Sequence, residues 1–435
     1  MTDDILIRML SFLPIKNAGA TSTLSRRWRF LWCNITRLDF DGSEALEKTD
    51  HDPNLFASEL DKFVKQVNYV IQRHDQPTIE VFQIRYNLDK SNREDIDSWL
   101  QFALDKKVEK LHLDLSYKDH GSSDPEENYD FPLPTSYGNM IYLGELPILN
   151  AKVVGLQSLK KVFLKGVNIS EPNLLGLLKN SPHLESLSLD HSGLFPHIHV
   201  GGWDINLKHF TIVTCYDVES ISLYDFDLES FLYNGEVINL SLIDLPVLKL
   251  LNISEGSFVL KNDVLAKISS VASSLQFLCL KLDRLKISFD VNSIPQLPKV
   301  KKLMLLVEAE EDNSLLELTS IAKACPLLEE FSIELLWESP IQKRTEVRHA
   351  APHRHEHLKF FYMGGYFGRI SDLELAVYVI DNAVALRKII IDPICMFHTD
   401  CFSDEDHMKR EEVARSSAER ELRPRLPKGV ELVIV

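Results

Sequence analysis

One short hydrophobic pattern recurs from about residue 79 to the end of the chain. Each copy has an apolar residue, two others, a second apolar residue, one other and a third apolar residue. The alternation over the last three positions is typical of a short β-strand that buries one face. The twelve triplets are Ile79, Phe82 and Ile84; Val108, Leu111 and Leu113; Leu159, Val162 and Leu164; Leu184, Leu187 and Leu189; Leu207, Phe210 and Ile212; Leu228, Phe231 and Tyr233; Leu248, Leu251 and Ile253; Leu275, Leu278 and Leu280; Val300, Leu303 and Leu305; Leu328, Phe331 and Ile333; Leu358, Phe361 and Met363; and Leu386, Ile389 and Ile391.

The spacing of these triplets is nearly constant. From Val162 onward, successive middle residues are 25, 23, 21, 20, 27, 25, 28, 30 and 28 residues apart. One strand every 20 to 29 residues or so is typical of leucine-rich repeats. Because such units bury their faces only by stacking on one another, the pattern predicts an α/β (α+β) solenoid with a curved open surface, and such surfaces bind other macromolecules.

The predicted repeats are irregular, and no Asn recurs at the turn position of the standard motif. The step from Leu111 to Val162 is 51 residues, so we expect a degenerate repeat around residues 140–146 after an exposed acidic loop. Two extra triplets lie midway in the shortest units, where we expect an extended outer side: Val218, Ile221 and Leu223; and Val237, Leu240 and Leu242. Outer helices are expected around 173–179 and 315–324, and the charged run 403–425 predicts a solvated helix before a last strand at 430–435.

The first 41 residues have a helical pattern instead. One predicted helix face, which Pro14 ends, carries Ile5, Leu6, Met9, Leu10 and Leu13. A second run has apolar residues at i, i+4, i+7 and i+8, namely Leu24, Trp28, Leu31 and Trp32. We expect a helical hairpin or a three-helix unit, whose apolar residues either form a small core or need a partner.

Composition and charge narrow the possible partners and compartment. The chain has 48 basic and 64 acidic residues, a net charge of −16, which disfavours a general phosphate-backbone binder because that affinity comes from clustered Lys and Arg. No run approaches the roughly 18 apolar residues of a membrane span. We therefore expect neither nucleic acid nor membrane as a partner. Six cysteines without a Cys-x-x-Cys pair indicate free thiols and a cytoplasmic and/or nuclear location: Cys33, Cys215, Cys279, Cys325, Cys395 and Cys401.

Catalytic and metal-binding motifs are scarce. The sequence has no Gly-rich phosphate loop, no Gly-x-Ser-x-Gly and no His-Glu-x-x-His, so we predict no catalytic residues and no cofactor. The run RHAAPHRHEH could point alternate imidazoles one way as a metal site, but zinc sites usually include more Cys and a polar loop is the favoured interpretation. A weaker histidine cluster occurs nearer the middle of the chain. The histidines concerned are His349, His353, His355 and His357 in the run, and His191, His197 and His199 in the cluster.

Both ends of the chain resemble one known family. Residues 3–32 are DDILIRMLSFLPIKNAGATSTLSRRWRFLW, and Leu38, Asp39 and Phe40 follow. This segment closely resembles the F-box of plant F-box proteins that carry leucine-rich repeats. Near the other end, HLKFFYMGGYFGRISDLELAVYVIDNAVALRKIIIDP and RPRLPKGVELVIV resemble the C-terminal FBD-type segment of the same family. The predicted repeats lie between them.

The resemblance implies a function. In that family the F-box docks on a Skp-type adaptor, which binds a cullin, and the repeats hold the protein to be ubiquitinated. The chain is thus expected to be a non-catalytic substrate-recognition subunit of a Skp-cullin-F-box ubiquitin ligase. Its divisions would be an F-box at 1–41, a connecting helical segment at 42–78, irregular leucine-rich repeats at 79–352 and FBD-like repeats with a cap at 353–435. The adaptor-binding residues would be Ile5, Leu6, Leu10, Leu13, Pro14, Leu24, Trp28 and Trp32.

Departures from the family pattern keep alternatives open. Met1 and Thr2 stand where a Leu-Pro pair is usual, and Gly19 stands where an apolar residue is usual. A helical Gly19 would weaken its helix by up to about 1 kcal/mol. The missing Leu-Pro start favours the first alternative, a leucine-rich-repeat scaffold that binds proteins outside a ubiquitin ligase. A second alternative is a hydrolase or other enzyme on a solenoid, which is disfavoured because no nucleophile, base and orienting group can be placed together from the sequence. A third alternative is a small ligand, held by the repeats, that completes the target-binding surface.

Overall fold

A computed structural model describes residues 2–116, 125–132, 155–193, 195–215, 218–235, 238–254, 268–282, 294–309, 314–337, 347–394 and 404–435. The chain divides into two units, Met1–Ile221 and Ser222–Val435. The expected degenerate repeat around 140–146 lies outside the described residues, as do Asp119 and Asp124 of the expected acidic loop, Val237 of the second extra triplet, and Cys395 and Cys401.

In the first unit, helices precede and flank a parallel sheet. Its helices are α1 (Asp3–Leu10), α2 (Ile15–Ala20), α3 (Ser43–His51), α4 (Phe56–Arg73), α5 (Arg93–Asp105) and α6 (Glu171–Asn180). Its strands are β1 (Arg37–Asp41), β2 (Val81–Arg85), β3 (Lys110–Asp114), β4 (Tyr129–Asp130), β5 (Lys161–Lys165), β6 (Val167–Asn168), β7 (Ser186–Asp190), β8 (His197–Gly201) and β9 (His209–Val213); β10 (Ser220–Tyr224) spans the boundary between the units. The main sheet has the order β1-β2-β3-β5-β7-β9, with every pair parallel.

In the second unit, a parallel sheet again follows chain order. Its strands are β11 (Ser230–Asn234), β12 (Asn239–Ile243), β13 (Leu250–Ile253), β14 (Phe277–Leu282), β15 (Lys302–Ala309), β16 (Glu330–Trp337), β17 (Phe360–Gly364), β18 (Lys388–Asp392) and β19 (Glu431–Ile434). Its described helices are α7 (Thr319–Lys323), α8 (Ile370–Asn382) and α9 (Asp404–Leu422). The main sheet has the order β11-β13-β14-β15-β16-β17-β18-β19, and its strands are parallel.

The triplets form the core of both units, which confirms the predicted α/β solenoid. Every one of their 36 side chains is at most 8% exposed. Their middle residues also face each other across neighbouring strands, as Leu111 and Val162 do in one unit and Phe331 and Phe361 in the other. Each repeat therefore buries the same face against the next.

The sheet begins earlier than the spacing predicted. Strand β1 pairs with β2, and Leu38 lies opposite Phe82. Ile35, Leu38 and Phe40 have the same three-then-two spacing and are no more than 1% exposed. The repeat spacing does not predict this triplet, because α3 and α4 make the interval between it and the next triplet much longer than one repeat. The sheet therefore has one strand, β1, before the expected start of the repeats at residue 79.

The outer side of the repeats varies with their length. Helix α6 lies where one was expected, whereas the segment expected at 315–324 is a 3₁₀ turn (Leu315–Leu318) followed by α7. In the shortest units β8, β10 and β12 confirm an extended outer side. The expectation that the charged helix near the C-terminus is solvated is wrong for one face of α9, where Ala414, Ala418 and Leu422 are at most 1% exposed.

Candidate docking site at the N-terminal helices

Helix α1 has one buried and one exposed apolar face. Asp3 and Asp4 lie in its first turn and Arg8 in its last, so each charge complements the helix dipole at that end. Leu6 and Leu10 are buried. The helix ends at Leu10, and the following turn brings the chain to Pro14, immediately before α2.

Six large apolar side chains on α1 and in the segment that follows it, up to residue 30, are exposed. These residues are called the N-terminal apolar surface, and each is at least 42% exposed: Ile5, Met9, Phe12, Leu13, Leu24 and Phe30. Phe12 is 69% exposed and Leu24 is 67% exposed. So many large apolar side chains left exposed within one short segment indicate a protein-interaction site.

The structure separates the eight residues predicted to bind an adaptor. Four of them are exposed: Ile5, Leu13, Pro14 and Leu24. Trp28 is half-buried, and the other three are buried: Leu6, Leu10 and Trp32. The buried three shape the segment and offer no surface to a partner in this conformation. Met9, Phe12 and Phe30 were missed as site residues, although Met9 shares the predicted face of α1.

The predicted second helix is wrong in its form. Residues Thr21–Thr23 and Trp28–Asn34 are 3₁₀ turns instead. A 3₁₀ turn takes three residues, so residues four apart no longer share a face. Leu24 lies between the two turns and is 67% exposed, while Trp32, in the second turn, is 8% exposed.

Polar contacts join the parts of this segment. The Arg27 guanidinium donates from Nε and from Nη2 to Asp3 Oδ1, at 2.8 and 2.7 Å. Ser11 Oγ donates to the Ile7 carbonyl at 2.9 Å and accepts from the Thr36 N–H at 3.1 Å. The Asp3–Arg27 pair is about half exposed, so it fixes geometry and adds at most about 1 kcal/mol of stability.

Helix α4 anchors the segment to the first repeats. The rings of Trp32 and Tyr69 stack with centroids 6.1 Å apart, and the Arg73 guanidinium lies over the Tyr69 ring at 3.7 Å. His74 Nε2 donates to the Ile35 carbonyl at 2.8 Å, and burial lowers the pKa of His74. The Asp75 N–H donates to the Cys33 carbonyl at 2.9 Å. These contacts hold the N-terminal segment, which carries the N-terminal apolar surface, against the end of α4.

Ion pairs between successive repeats were not predicted from the sequence. They involve the residue two positions before the middle of a triplet, where acidic and basic residues alternate from Glu109 to Lys249. The pairs are Glu109 with Lys160 at 2.9 Å, Glu185 with Lys208 at 2.6 Å, Glu229 with Lys249 at 2.8 Å, and Glu329 with Lys359 at 2.6 Å. Each pair neutralises two charges where neighbouring repeats meet. The alternation of acidic and basic residues at this position is the sequence feature that could have predicted these pairs.

Two rings of the histidine run come together, since the centroids of His353 and His355 lie 4.8 Å apart. His355 is 5% exposed, its Nε2 lies 3.1 Å from Tyr378 Oη, and burial lowers the pKa of His355 to about 4. Across the residues that the structure describes, no three His, Cys, Asp or Glu side chains are arranged to hold a metal ion. Nor does any helix in the described ranges have the length and apolar character needed to cross a membrane.

The stacked parallel strands and their repeated triplets define a leucine-rich-repeat protein with a helical N-terminal segment. Residues 70–435 match the family model described as At1g61320/AtMIF1, LRR domain, and the chain belongs to that family.

Arabidopsis thaliana proteins are similar over most of the chain. The FBD-associated F-box protein At4g10400 is 26% identical over 423 residues, covering 90% of this chain and 91% of that protein. The F-box/FBD/LRR-repeat protein At2g04230 is 26% identical and covers 89% and 87%. The chain spans less than half the length of several other relatives: the putative F-box/LRR-repeat protein At4g15060 is 30% identical over 207 residues, 43% of that protein. The resemblance to plant F-box proteins with leucine-rich repeats and an FBD segment is confirmed.

Proposed function

We propose that this protein is a substrate-recognition subunit of a Skp-cullin-F-box ubiquitin ligase. Its N-terminal apolar surface docks a Skp-type adaptor, which connects it to a cullin, and its repeats hold a target protein. The protein acts in the cytoplasm and/or the nucleus. Its relatives carry F-box in their names, and the proposal extends that activity to this chain.

The exposure of the N-terminal apolar surface carries the proposal. Phe12, Leu24 and Phe30 are each at least 65% exposed, although burying such side chains is favourable by about 1.5–3 kcal/mol each. The segment that holds them is anchored on α4 through Trp32 and His74. A rigid base with exposed apolar side chains is suited to an adaptor, because little ordering cost opposes binding.

The protein itself is proposed to be non-catalytic, with ubiquitin transfer performed by its partners. A cysteine that carries ubiquitin must be accessible and form a thiolate. The four cysteines within the described residues are buried: Cys33, Cys215, Cys279 and Cys325. Burial raises the pKa of Cys279 and of Cys325 to about 12, which supports an adaptor role.

Substitution of exposed residues tests the docking proposal. Leu13→Asp and Leu24→Asp place a charge in the proposed interface without touching the core, since these side chains are 42% and 67% exposed. Each should weaken adaptor binding by at least about thirtyfold, the size of a 2 kcal/mol interface hot spot. Binding of a purified Skp-type adaptor is measured by calorimetry.

Ile243→Asp is the matched control, because Ile243 is 51% exposed and lies on β12, outside the N-terminal segment. It should bind the adaptor as the unchanged protein does. If all three variants bind equally well, or if the unchanged protein does not bind at all, the adaptor role is refuted and a repeat scaffold outside a ligase becomes the better account.

A further inference from the structure

Two histidines of the central cluster are neighbours on the outer strand β8. One residue separates His197 from His199, and side chains two positions apart on a strand stand on the same face. Both histidines are exposed, whereas Ile198 and Val200 are at most 1% exposed. The centroids of the two rings are 6.4 Å apart. The strand therefore presents two imidazoles together at the surface of the first unit.

Each imidazole is held by an oxygen at the same ring atom. His199 Nδ1 lies 3.0 Å from Glu171 Oε1 at the start of α6, and His197 Nδ1 lies 3.0 Å from Ser220 Oγ on β10. An ionised carboxylate only accepts hydrogen bonds, so in the neutral ring of His199 the proton is on Nδ1 and Nε2 keeps a lone pair. The Ser220 hydroxyl can accept from His197 in the same way. Among the described residues, neither Nε2 atom has a hydrogen-bond partner.

We propose that His197 and His199 bind one divalent transition-metal ion through their Nε2 atoms. Neutral imidazole is a ligand for copper, nickel and zinc. Histidines that bind a metal usually donate the other ring N–H to a carboxylate or another oxygen, which is the arrangement that Glu171 and Ser220 provide. The negative charge of Glu171 also favours a cation beside His199.

The geometry of the pair needs only a small adjustment. With metal–nitrogen bonds of about 2.0–2.1 Å, two imidazoles on one ion have ring centroids about 5 Å apart. The present 6.4 Å is therefore closed by rotating exposed side chains. No third His, Cys, Asp or Glu of the described residues joins the pair, so water fills the remaining coordination positions. The inference goes beyond the proposed function and does not depend on it.

The histidine pair of the second unit is a poorer site, although its run contains more histidines. The ring of His355 is buried, and its Nε2 faces Tyr378 Oη at 3.1 Å. Burial, and then the Lys323 ammonium, lowers the pKa of His353. A positive charge thus already acts on that pair, which opposes a metal cation. On β8 the group beside the rings is a carboxylate instead.

Copper(II) is the probe, because a given nitrogen site binds it most tightly among the first-row divalent ions. The full-length protein is titrated with copper(II) chloride; calorimetry gives the number of bound ions, and electron paramagnetic resonance gives the nitrogen ligands of each. The chain has 15 histidines, so the site is identified by difference. His197→Gln and His199→Gln should each weaken binding of one ion by at least about tenfold, and should remove its signature of two imidazole nitrogens.

His183→Gln is the matched control, because His183 is an exposed histidine of the same unit outside β8. It should bind copper as the unchanged protein does, and thermal unfolding of every variant checks that it is folded. Equal copper binding by this control and the two β8 variants would overturn the inference. One nitrogen per ion, or no binding by the unchanged protein, would overturn it as well. So would one ion held between two chains, detected as a copper-dependent dimer in light scattering.

Glu171 is a positioning residue in this site, since it acts through His199. Glu171→Leu should weaken copper binding by about 10–100-fold, while the ion that does bind keeps two imidazole nitrogens. Glu171→Gln retains an oxygen that accepts from Nδ1 and should restore part of the affinity. Copper binding unchanged in Glu171→Leu would show that Glu171 does not orient the ring. Adaptor binding is measured separately on the same variants, so failure of the metal site and failure of the proposed function are distinguishable.

Discussion

Individual side chains in this protein owe their chemistry to burial. Cys279 lies on an outward strand position yet is only 2% exposed, and Cys325 is 1% exposed. Removing a thiolate from water disfavours it, which raises the pKa of both thiols to about 12. The same effect acts on His355 in the opposite direction, because for an imidazole the charged form is the protonated one.

The buried cysteines should resist alkylation. Because the thiolate is the reactive form, Cys279 and Cys325 should stay unmodified in the folded protein when iodoacetamide is added at pH 8, and should react after unfolding in urea. Mass spectrometry of digested samples measures each site. Modification of either residue in the folded protein at the rate seen in urea would show that it is accessible and reactive.

His355 should make stability depend on pH. The pKa of His355 is about 4 in the folded protein and about 6.5 when unperturbed, so between these values the unfolded chain binds more protons. The free energy of unfolding should therefore fall as the pH is lowered from 6.5 to 4. In His355→Gln this fall should be less steep, as measured by urea unfolding at several pH values. A slope identical to that of the unchanged protein would contradict the assignment.

At the scale of an element, helix ends decide which apolar residues are core. Periodicity places Leu10 and Leu13 on one face, but α1 ends at Leu10, and the turn after it leaves Leu13 42% exposed while Leu10 is 2% exposed. The sequence therefore predicted the existence of the apolar N-terminal segment but not its division into core and surface. The 3.6-residue periodicity also predicted an α-helix around Trp28, where the structure has a 3₁₀ turn.

Helix α9 offers a test at this scale. Leu422 is fully buried, whereas Val413 on the same helix is 67% exposed. Leu422→Ala should lower the free energy of unfolding by about 2–5 kcal/mol, because it leaves a cavity in a packed site. Val413→Ala should change it by no more than about 0.5 kcal/mol. Urea unfolding followed by circular dichroism measures both, and an equally small effect of the two substitutions would mean that α9 is solvated all round.

For the whole molecule, the repeated triplet was the strongest signal in the sequence. Its spacing predicted the core residues and the strand order within each unit, since each triplet pairs with the next. The spacing did not predict β1, because α3 and α4 lengthen that interval, nor did it predict the buried face of α9, whose composition is mostly charged. Repetition thus identifies stacked strands well, whereas the elements at either end depend on contacts that occur only once.

Stacking also makes the last repeats necessary for those before them. Removing everything after Pro352 deletes β17, β18 and β19, and exposes the edge of β16 with the side of Phe331 and Ile333, which are at most 1% exposed in the full chain. An exposed strand edge with an apolar face favours aggregation. The truncated protein should be mostly insoluble on expression, or scatter light as large aggregates where the full chain does not in the same buffer. A monomeric truncated protein that unfolds cooperatively would instead show that the C-terminal segment is an independent domain, since an array of stacked repeats cannot lose its terminal cap and keep its neighbour's apolar face covered.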